Sequence, residues 1–335
     1  MENILVTGGA GFIGRHLVKR LLDTTDAYIY NIDKLSYASN ALDLLEHPGA
    51  KERCQLLTYD LSYEEKIQEW IQTIQPSKIF HLAAESHVDN SIKSPRDFVY
   101  SNIIGTYNLL EACRFGIKIP FKFLHVSTDE VFGSLHPDDI ETYFVETTPY
   151  NPRSPYSASK AASDHLVMAW HNTYKFPAVI TNCSNNYGPG QHPEKLIPMT
   201  ITNALEGKPI TVHGEGKNIR DWLHVEDHID ALLLVMDKGL VGQQYCIGGD
   251  GEQTNIEVVK TICNILDELK SEQAPHSDLI THVTDRPGND LKYAINPHKI
   301  RKLGWKAKRN FEEGLMDLIK GYLFHVTNTQ CSVGR

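Results

Sequence analysis

Two adjacent carboxylates stand directly after an apolar run in the first half of the chain. Residues 123–127 have the composition of a buried strand, and Thr128, Asp129 and Glu130 follow without a break. Two neighbouring carboxyl groups in one site can hold different protonation states, so that one acts as an acid and the other as a base. Adjacent acids are also common in the first turn of a helix. Position alone leaves both interpretations open.

A tyrosine and a lysine follow downstream, four positions apart. Tyr156 and Lys160 share one face of a predicted helix, because side chains at i and i+4 are neighbours on a helix surface. A free phenol has a pKa of about 10, and a nearby ammonium favours the phenolate. We therefore expect Lys160 to lower the pKa of Tyr156 toward working pH, so that the phenolate is a base for a sugar or alcohol hydroxyl. Taken alone, this spacing is also common on surface helices.

A glycine-rich turn follows the first predicted strand. Gly8 allows a tight turn, Gly11 allows the backbone to approach a pyrophosphate, and Gly14 allows a helix to pack closely on the sheet. Phe12 and Ile13 lie in the same turn, at the start of a helix whose amides and dipole favour phosphate. The position between a strand and a helix predicts a dinucleotide site.

Asp33 ends the second predicted strand, about 20 residues after the glycine turn, where a carboxylate can accept hydrogen bonds from ribose. Lys34 beside it weakens the preference for NAD over NADP without reversing it, and NAD is the predicted cofactor. Further cofactor contacts are expected at the carboxyl ends of the third and fourth strands, where tight helix packing explains the alanines equally well. These residues are Asp60, Leu61, Leu82, Ala83 and Ala84.

Short β-rich runs alternate with amphipathic stretches over the first two-thirds of the chain, which is typical of βαβ units. The pattern predicts an α/β fold: a Rossmann-type doubly wound parallel sheet with a smaller, interleaved C-terminal substrate-binding lobe. We expect an NAD-binding domain over 1–185, with a return to the sheet near 222–250, a sugar-nucleotide lobe over 186–322 and a loose tail over 323–335. The predicted strands are 4–7, 28–32, 55–59, 78–82, 123–127, 179–183 and 244–247, and the predicted helices lie near 11–22, 63–74, 98–115 and 155–174.

Composition narrows the class of protein. The 335 residues carry a formal net charge of −9, which disfavours a nucleic-acid or anionic-membrane partner. The six cysteines are scattered singly, so neither a metal site nor a disulfide framework is predicted. No apolar run approaches the length of a membrane span, and the first residues lack the layout of a signal peptide. We expect a soluble cytoplasmic protein.

These motifs resemble the extended short-chain dehydrogenase/reductase superfamily, and within it the nucleotide-sugar 4,6-dehydratases that act on dTDP-glucose. The resemblance runs from residue 1 to about 322. Its most discriminating motif is the Thr-Asp-Glu at 128–130, since related epimerases usually lack the acid pair. Other matching segments include GGAGFIG at 8–14, HLAAESHVD at 81–89, YSASK at 156–160, RDWLHVED at 220–227 and DRPG at 285–288.

The resemblance implies a reaction in three stages. Tyr156 removes the C4 hydroxyl proton, with Thr128 at the same oxygen, while NAD⁺ accepts the C4 hydride. Glu130 then abstracts the C5 proton, and protonated Asp129 donates to the departing C6 hydroxyl. The hydride returns to C6, which leaves a 4-keto-6-deoxy sugar and NAD⁺.

The resemblance also implies further contacts. Ser101 and Asn186 are expected at NAD, and Ser86 at the cofactor and the substrate. A homodimer is expected to pack through the helices near 98–115 and 155–174. Surface ion pairs are the alternative interpretation for each basic residue at the nucleotide diphosphate, whose expected contacts are Asn185, Lys195, Leu196, Arg220, Asn255 and Arg286.

Three positions depart from the family pattern: Phe132 replaces a tyrosine, Asn289 a histidine and Asn90 an arginine. These changes bear on the nucleobase more than on the reaction. Dehydratases of UDP-glucose, CDP-glucose or GDP-mannose and a C4 epimerase remain alternatives, as does an NAD-binding regulatory protein without catalysis. The nucleobase, the pathway and the oligomeric state stay open at this level.

Overall fold

A parallel sheet of seven strands forms the centre of the computed structural model, which describes the backbone of residues 1–333 and the side chains of residues 1–324. Three more strands form a second sheet, and two form a third. The strands are β1 Asn3–Thr7, β2 Tyr28–Asp33, β3 Cys54–Thr58, β4 Lys78–His81, β5 Lys122–Thr128, β6 Ala178–Cys183, β7 Asn185–Tyr187, β8 Ile210–His213, β9 Ile219–His224, β10 Gln244–Ile247, β11 Glu252–Thr254 and β12 Ile280–Val283.

The helices cover the sheets. They are α1 Phe12–Thr24, α2 Ala41–Leu45, α3 Ala50–Arg53, α4 Ile67–Ile74, α5 Val88–Lys93, α6 Pro95–Phe98, α7 Gly105–Gly116, α8 Pro155–Tyr174, α9 Leu196–Leu205, α10 Val225–Lys238, α11 Asn255–Leu269, α12 His298–Arg301 and α13 Phe311–Val333. A π-helical turn, Val99–Ile104, joins α6 to α7, and 3₁₀ turns lie at Asp129–Phe132, Ser271–Gln273 and His276–Leu279.

The large sheet has the order β10-β6-β5-β4-β1-β2-β3, and all its neighbouring strands are parallel. Strands are added in opposite directions from β1, so a crevice opens between β1 and β4 at their carboxyl ends, where such folds bind ligands. One apolar layer packs α1 and α10 on one face, and a second layer packs α4, α7 and α8 on the other. This confirms the predicted Rossmann-type fold and the return of 244–247 to the sheet.

The C-terminal lobe is built on the two small sheets. β9 pairs with β7 and β11, and β8 pairs with β12. Helices α9, α11 and α13 pack around them through a separate apolar cluster that includes Ile201, Val258 and Leu315. Because β7 and β9 leave the large sheet's neighbourhood while β10 returns to it, the two lobes are interleaved along the chain.

The predicted helix near 98–115 differs in its first part, which is a π-helical turn. Within this turn the buried Asn102 side chain accepts from the Glu85 amide at 2.8 Å and donates to the Glu85 carbonyl at 3.0 Å. It also donates to the Ser159 hydroxyl on α8 at 2.8 Å. π-helical turns occur frequently at functional sites, and this one ties the loop after β4 to α8.

The predicted loose tail over 323–335 is wrong as far as the structure describes it, because α13 continues to Val333. Leu315, Leu318 and Ile319 anchor the first half of this helix in the apolar cluster of the second lobe. Once a helix is nucleated, each further residue adds a hydrogen bond at little cost, so periodic apolar residues are not needed for it to continue. Residues 334 and 335 lie outside the described part. Within that part, no helix is long and apolar enough to cross a membrane.

Candidate active site

One cavity of about 310 Å³ lies at the carboxyl ends of the large sheet's strands. The structure brings every residue predicted to contact the cofactor to its wall, together with Thr128, Asp129, Glu130, Asn185 and Lys195. These cofactor residues are Gly8, Gly11, Phe12, Ile13, Gly14, Asp33, Lys34, Asp60, Leu61, Leu82, Ala83, Ala84, Ser86, Ser101, Tyr156, Lys160 and Asn186. The cavity therefore joins the glycine turn to the acid pair.

The glycine turn leaves an open cradle beside the start of α1. Gly8 has a φ of +74°, and a Cβ there would lie 2.7 Å from the backbone nitrogen of Ala83. A Cβ on Gly14 would overlap the Gly8 carbonyl, whereas a Cβ on Gly11 would meet only that oxygen, at 3.2 Å. Gly11 caps α1 without a side-chain hydrogen bond. A pyrophosphate fits this arrangement, since backbone at Gly11 is exposed to the cavity and helix amides lie beside it.

Asp33 connects the glycine turn to the loop that follows β2. One carboxylate oxygen accepts from the Ala10 amide at 2.9 Å, and the other accepts from the Leu35 amide at 2.8 Å and the Ser39 hydroxyl at 3.1 Å. Lys34 is engaged elsewhere: its ammonium lies 2.6 Å from Glu85 and donates to Ser101 at 2.7 Å. With its charge paired, Lys34 offers little to a 2′-phosphate, so this end of the cavity suits NAD.

Both interpretations of the acid pair apply to Asp129. The 3₁₀ turn begins there, and the Thr128 hydroxyl accepts from the Glu130 amide at 3.3 Å, as a helix cap does. Asp129 is 1% exposed, and its Oδ2 has no hydrogen-bond partner among the described residues. Burial, and then the charges of Glu130 and Asp221, raise the pKa of Asp129 well above its usual range. Asp129 therefore retains its proton to a higher pH than an ordinary aspartate does, as a proton donor requires.

Glu130 has a different electrostatic environment. Burial, and to a lesser extent the charge of Asp290, raise the pKa of Glu130 above its usual value, and Arg286, Arg220 and Lys195 oppose this rise. Three cations therefore favour the Glu130 carboxylate, whereas Asp129 faces one cation, Arg220, and two anionic neighbours, Glu130 and Asp221. When two close carboxyls compete for one proton, the one with fewer cations beside it binds the proton more tightly. The two environments therefore favour the acid form on Asp129 and the base form on Glu130.

Tyr156 and Lys160 face the cavity from α8, but the predicted effect of the lysine on the phenol is wrong. The Lys160 ammonium donates to the Val126 carbonyl at 2.9 Å. Burial, and then the charge of Glu130, raise the pKa of Tyr156 well above its usual value, and only a hydrogen bond to Thr128 opposes them. Desolvation of the phenolate and the charge of Glu130 dominate this pKa, while the Lys160 ammonium hydrogen-bonds a backbone oxygen of β5.

Four of the predicted substrate residues lie beyond the wall of the cavity. Leu196 begins α9 and packs on the C-terminal apolar cluster. Asn255 begins α11, where its amide donates to the Asn218 carbonyl at 3.0 Å. Arg220 and Arg286 meet at the Asn289 side chain, whose oxygen accepts from them at 3.1 Å and 3.2 Å.

The structure adds residues that sequence reasoning missed. The Asn289 carboxamide, noted only as a departure, also donates to Asp285 at 2.8 Å and so organises both arginines. Cys183 at the end of β6 lines the cavity, and burial raises its pKa to about 12, so it is a neutral thiol. Cys183 has no local signal, and the role of Asn289 depends in part on Arg220, which is distant along the chain. Further lining residues are Ser36, Ala38, Ser39, Tyr59, Ser127, Ser184, Gln191, His192 and Glu194. No group of three His, Cys, Asp or Glu side chains in the described part could hold a metal.

The fold and this cavity define an enzyme with a dinucleotide site and an added acid–base pair. The profile of the GDP-mannose 4,6 dehydratase family matches residues 5–318, and the chain belongs to this family. The resemblance to nucleotide-sugar dehydratases inferred from its motifs is thereby confirmed.

Individual relatives narrow the comparison. The chain is 50% identical over 341 residues to a dTDP-glucose 4,6-dehydratase of Neisseria gonorrhoeae, with 98% of each covered. The crystal structure of DesIV, a dTDP-glucose 4,6-dehydratase from Streptomyces venezuelae with NAD and TYD bound, matches with a TM-score of 0.87 and 38% identity over 96% of each chain. A UDP-glucose 4-epimerase from Thermotoga maritima has a TM-score of 0.84 but 27% identity, over 97% of this chain and 99% of the epimerase.

Proposed function

We infer that this protein catalyses the NAD-dependent dehydration of dTDP-glucose to dTDP-4-keto-6-deoxyglucose. The observation that carries the inference is the acid pair, Asp129 and Glu130, buried at the wall of the cavity that also contains the glycine turn and Tyr156. A relative with this activity at 50% identity and a matching dehydratase structure with NAD and TYD bound support it.

The cavity residues fit the cofactor. The cradle at Gly11 and the first amides of α1 would hold the pyrophosphate, and Asp33 would accept from ribose hydroxyls. NAD⁺, when bound, supplies a positive charge and takes up the C4 hydride, which it returns to C6 at the end of the reaction.

The first proton transfer involves Tyr156 and Thr128. Tyr156 accepts the proton of the C4 hydroxyl as the C4–H bond breaks, and the Thr128 hydroxyl donates to O4. In the protein alone the phenol retains its proton, because burial and Glu130 raise its pKa. The positive charge of bound NAD⁺ would lower this pKa and so favour the phenolate that oxidation at C4 requires.

Glu130 and Asp129 carry out the two proton transfers of the elimination. The C4 ketone acidifies the C5 hydrogen, and Glu130, whose carboxylate is favoured by the charges of Arg286, Arg220 and Lys195, accepts that proton. The C6–O bond breaks as Asp129 donates its proton to the leaving hydroxyl, so that one water departs and a C5–C6 double bond forms. Hydride addition at C6 and proton return to C5 complete the 4-keto-6-deoxy sugar.

Product mass tests the function against the main alternatives. We expect the purified protein to convert dTDP-glucose into a product lighter by one water, with no net change in NAD. A product of unchanged mass with inverted C4 would identify an epimerase, and no product with dTDP-glucose would exclude the proposal. Parallel reactions with UDP-glucose and GDP-mannose test the nucleobase, and an Asp129→Asn variant is the control for loss of the acid.

We also propose a homodimer formed through the helices near 98–115 and 155–174. Large apolar side chains along the first of these helices are exposed in the single chain, with Val99 at 44%, Tyr107 at 40% and Phe115 at 50%. Exposed large apolar side chains on one helical segment favour association with a second copy. Light scattering at micromolar concentration is expected to give twice the chain mass, and Tyr107→Glu to give the monomer. A monomeric wild type would contradict the proposal.

A cytoplasmic location is the third part of the proposal. The cysteines of the described residues, Cys54, Cys113, Cys183, Cys246 and Cys263, are free thiols, which a reducing compartment favours. Fractionation of cells producing the protein is expected to recover it with the cytoplasmic fraction, and recovery from an oxidising compartment would contradict this.

A further inference from the structure

Lys160 lies above a buried polar cluster that the reaction described so far does not use. Asp164 follows Lys160 by one helical turn on α8 and is 1% exposed. Burying a carboxylate without hydrogen bonds or an opposite charge destabilises the fold, so the groups that contact Asp164 indicate its role.

One oxygen of Asp164 collects three hydrogen bonds. Its Oδ2 accepts from the Ser127 hydroxyl and the Tyr150 hydroxyl, both at 2.8 Å, and from the Asn182 amide at 3.3 Å. The same Asn182 amide group donates to the Thr128 carbonyl at 3.1 Å. Through these contacts Asp164 joins α8, which carries Tyr156, to the end of β5.

The other oxygen of Asp164 faces a histidine. Its Oδ1 lies 3.1 Å from Nε2 of His125 on β5, which is 1% exposed. Burial, and then the charge of Lys160, lower the pKa of His125, so the imidazole is neutral. The negative charge of Asp164 is therefore not matched by His125.

Lys160 is the cation of this cluster. The titratable groups that face it are Asp164 on its own helix, His81 on β4, His125 on β5 and Cys183 on β6. Burial lowers the pKa of both imidazoles and raises that of the Cys183 thiol, so the three are neutral. Asp164 supplies the negative charge that opposes the desolvation of the Lys160 ammonium.

We propose that Asp164 is a positioning residue for the reaction: through Ser127, Tyr150 and Asn182 it fixes the end of β5, which carries Thr128, Asp129 and Glu130, against α8, which carries Tyr156 and Lys160. One carboxylate thereby holds the oxidation group on α8 and the elimination pair after β5 in a constant relation. This inference rests on the proposed function.

The test is Asp164→Asn, which keeps the shape and one acceptor oxygen but removes the charge. We expect kcat to fall about tenfold or more while KM changes less than about threefold, since the substrate is not contacted. Asp164 raises the pKa of Lys160, so its removal lowers that pKa. If the reaction requires the ammonium, activity is lost as pH rises through this pKa, and the alkaline limb of the kcat profile moves to lower pH.

Two variants that leave the Asp164 carboxylate in place separate the effect of its charge from the effect of its hydrogen bonds. Ser127→Ala and Tyr150→Phe each remove one hydrogen bond to Asp164 and leave its charge. We expect both to keep the alkaline limb of the wild type, and Asp164→Glu to restore it. An Asp164→Asn profile identical to the wild type would overturn the proposal, and so would equal displacement of the alkaline limb in Asp164→Asn, Ser127→Ala and Tyr150→Phe.

A folding defect of the variant and a failure of the proposed function can both be distinguished from a failure of this inference. Should Asp164→Asn fail to fold, as judged by thermal unfolding, Asp164→Glu becomes the deciding variant: an unchanged alkaline limb supports the role of the charge, and a displaced limb overturns it. Failure of the proposed function shows as no water loss in the wild type. Failure of this inference shows only in the variants.

Discussion

Tyr37 donates its phenol hydrogen to Glu194 at 2.9 Å, which joins the loop after β2 to the loop before α9. The same hydroxyl accepts from the Asn90 side chain at 2.9 Å. Residues of both loops line the cavity on either side of this contact. The hydrogen bond therefore forms a strap between the N-terminal and C-terminal lobes at the cofactor cavity.

Tyr37→Phe should loosen this strap without disturbing the fold. Loss of one partly exposed hydrogen bond to a charged group is worth about 1 kcal/mol, or roughly fivefold in an equilibrium constant. We expect NAD to dissociate about fivefold faster, measured by the NAD retained after gel filtration and by its rate of release. Tyr63→Phe, at another exposed tyrosine, is the matched control. Equal retention by the two variants would show that the strap does not hold the cofactor.

Glu130→Gln should separate oxidation from elimination. The amide cannot accept the C5 proton, so the 4-keto intermediate and NADH are expected to accumulate while water loss slows about 10²- to 10⁴-fold. Absorbance of NADH and product mass follow the two stages. The control is Glu206→Gln, which removes an exposed carboxylate paired with Lys208. Normal formation of the 6-deoxy product by Glu130→Gln would assign the C5 base to another residue.

In Arg286→Leu, the acid limb of the pH profile of the elimination rate should move to higher pH. Glu130 acts ionised, so the rate falls as pH drops through its pKa, and Arg286 is the largest of the charges that lower this pKa. Without Arg286 the pKa rises, and the limb moves to higher pH. Single-turnover rates at saturating dTDP-glucose across pH measure this. Arg301→Leu, which breaks a surface pair with Asp250, is expected to leave the limb in place. A fixed limb in Arg286→Leu would contradict the role of Arg286.

Gly14→Ala should damage the cofactor site and the fold together. The new Cβ would overlap the Gly8 carbonyl and lie 2.7 Å from the Gly9 Cα, backbone that cannot move aside. We expect a loss of about 1–3 kcal/mol in the free energy of unfolding, measured in urea, and weaker NAD binding. Gly321→Ala on α13 meets nothing within 4 Å and should stabilise by about 0.5–1 kcal/mol. A Gly14→Ala protein as stable as the wild type would refute the close packing.

Local patterns predicted most of the fold. The glycine turn between β1 and α1 was readable because tight turns require glycine at fixed spacing. The start of α8 at Pro155 was readable because Ser154 caps the helix, where its hydroxyl accepts from the Ser157 amide at 3.0 Å. Strand β10 was readable from its β-rich composition. The C-terminal part of α13 could not be predicted from its own residues, because it extends a helix that is anchored by Leu315, Leu318 and Ile319.

The sequence by itself determined which chemical groups are present, where the cofactor turn forms and that two carboxylates follow β5. Only the tertiary structure decided their protonation. Asp129 keeps its proton because it is buried beside Glu130 and Asp221, and Glu130 faces cations from distant segments. Tyr156 keeps its proton because burial and the charge of Glu130 raise its pKa, against the effect that its spacing from Lys160 predicted. Desolvation and charge depend on spatial neighbours, and residue spacing along the chain does not contain them.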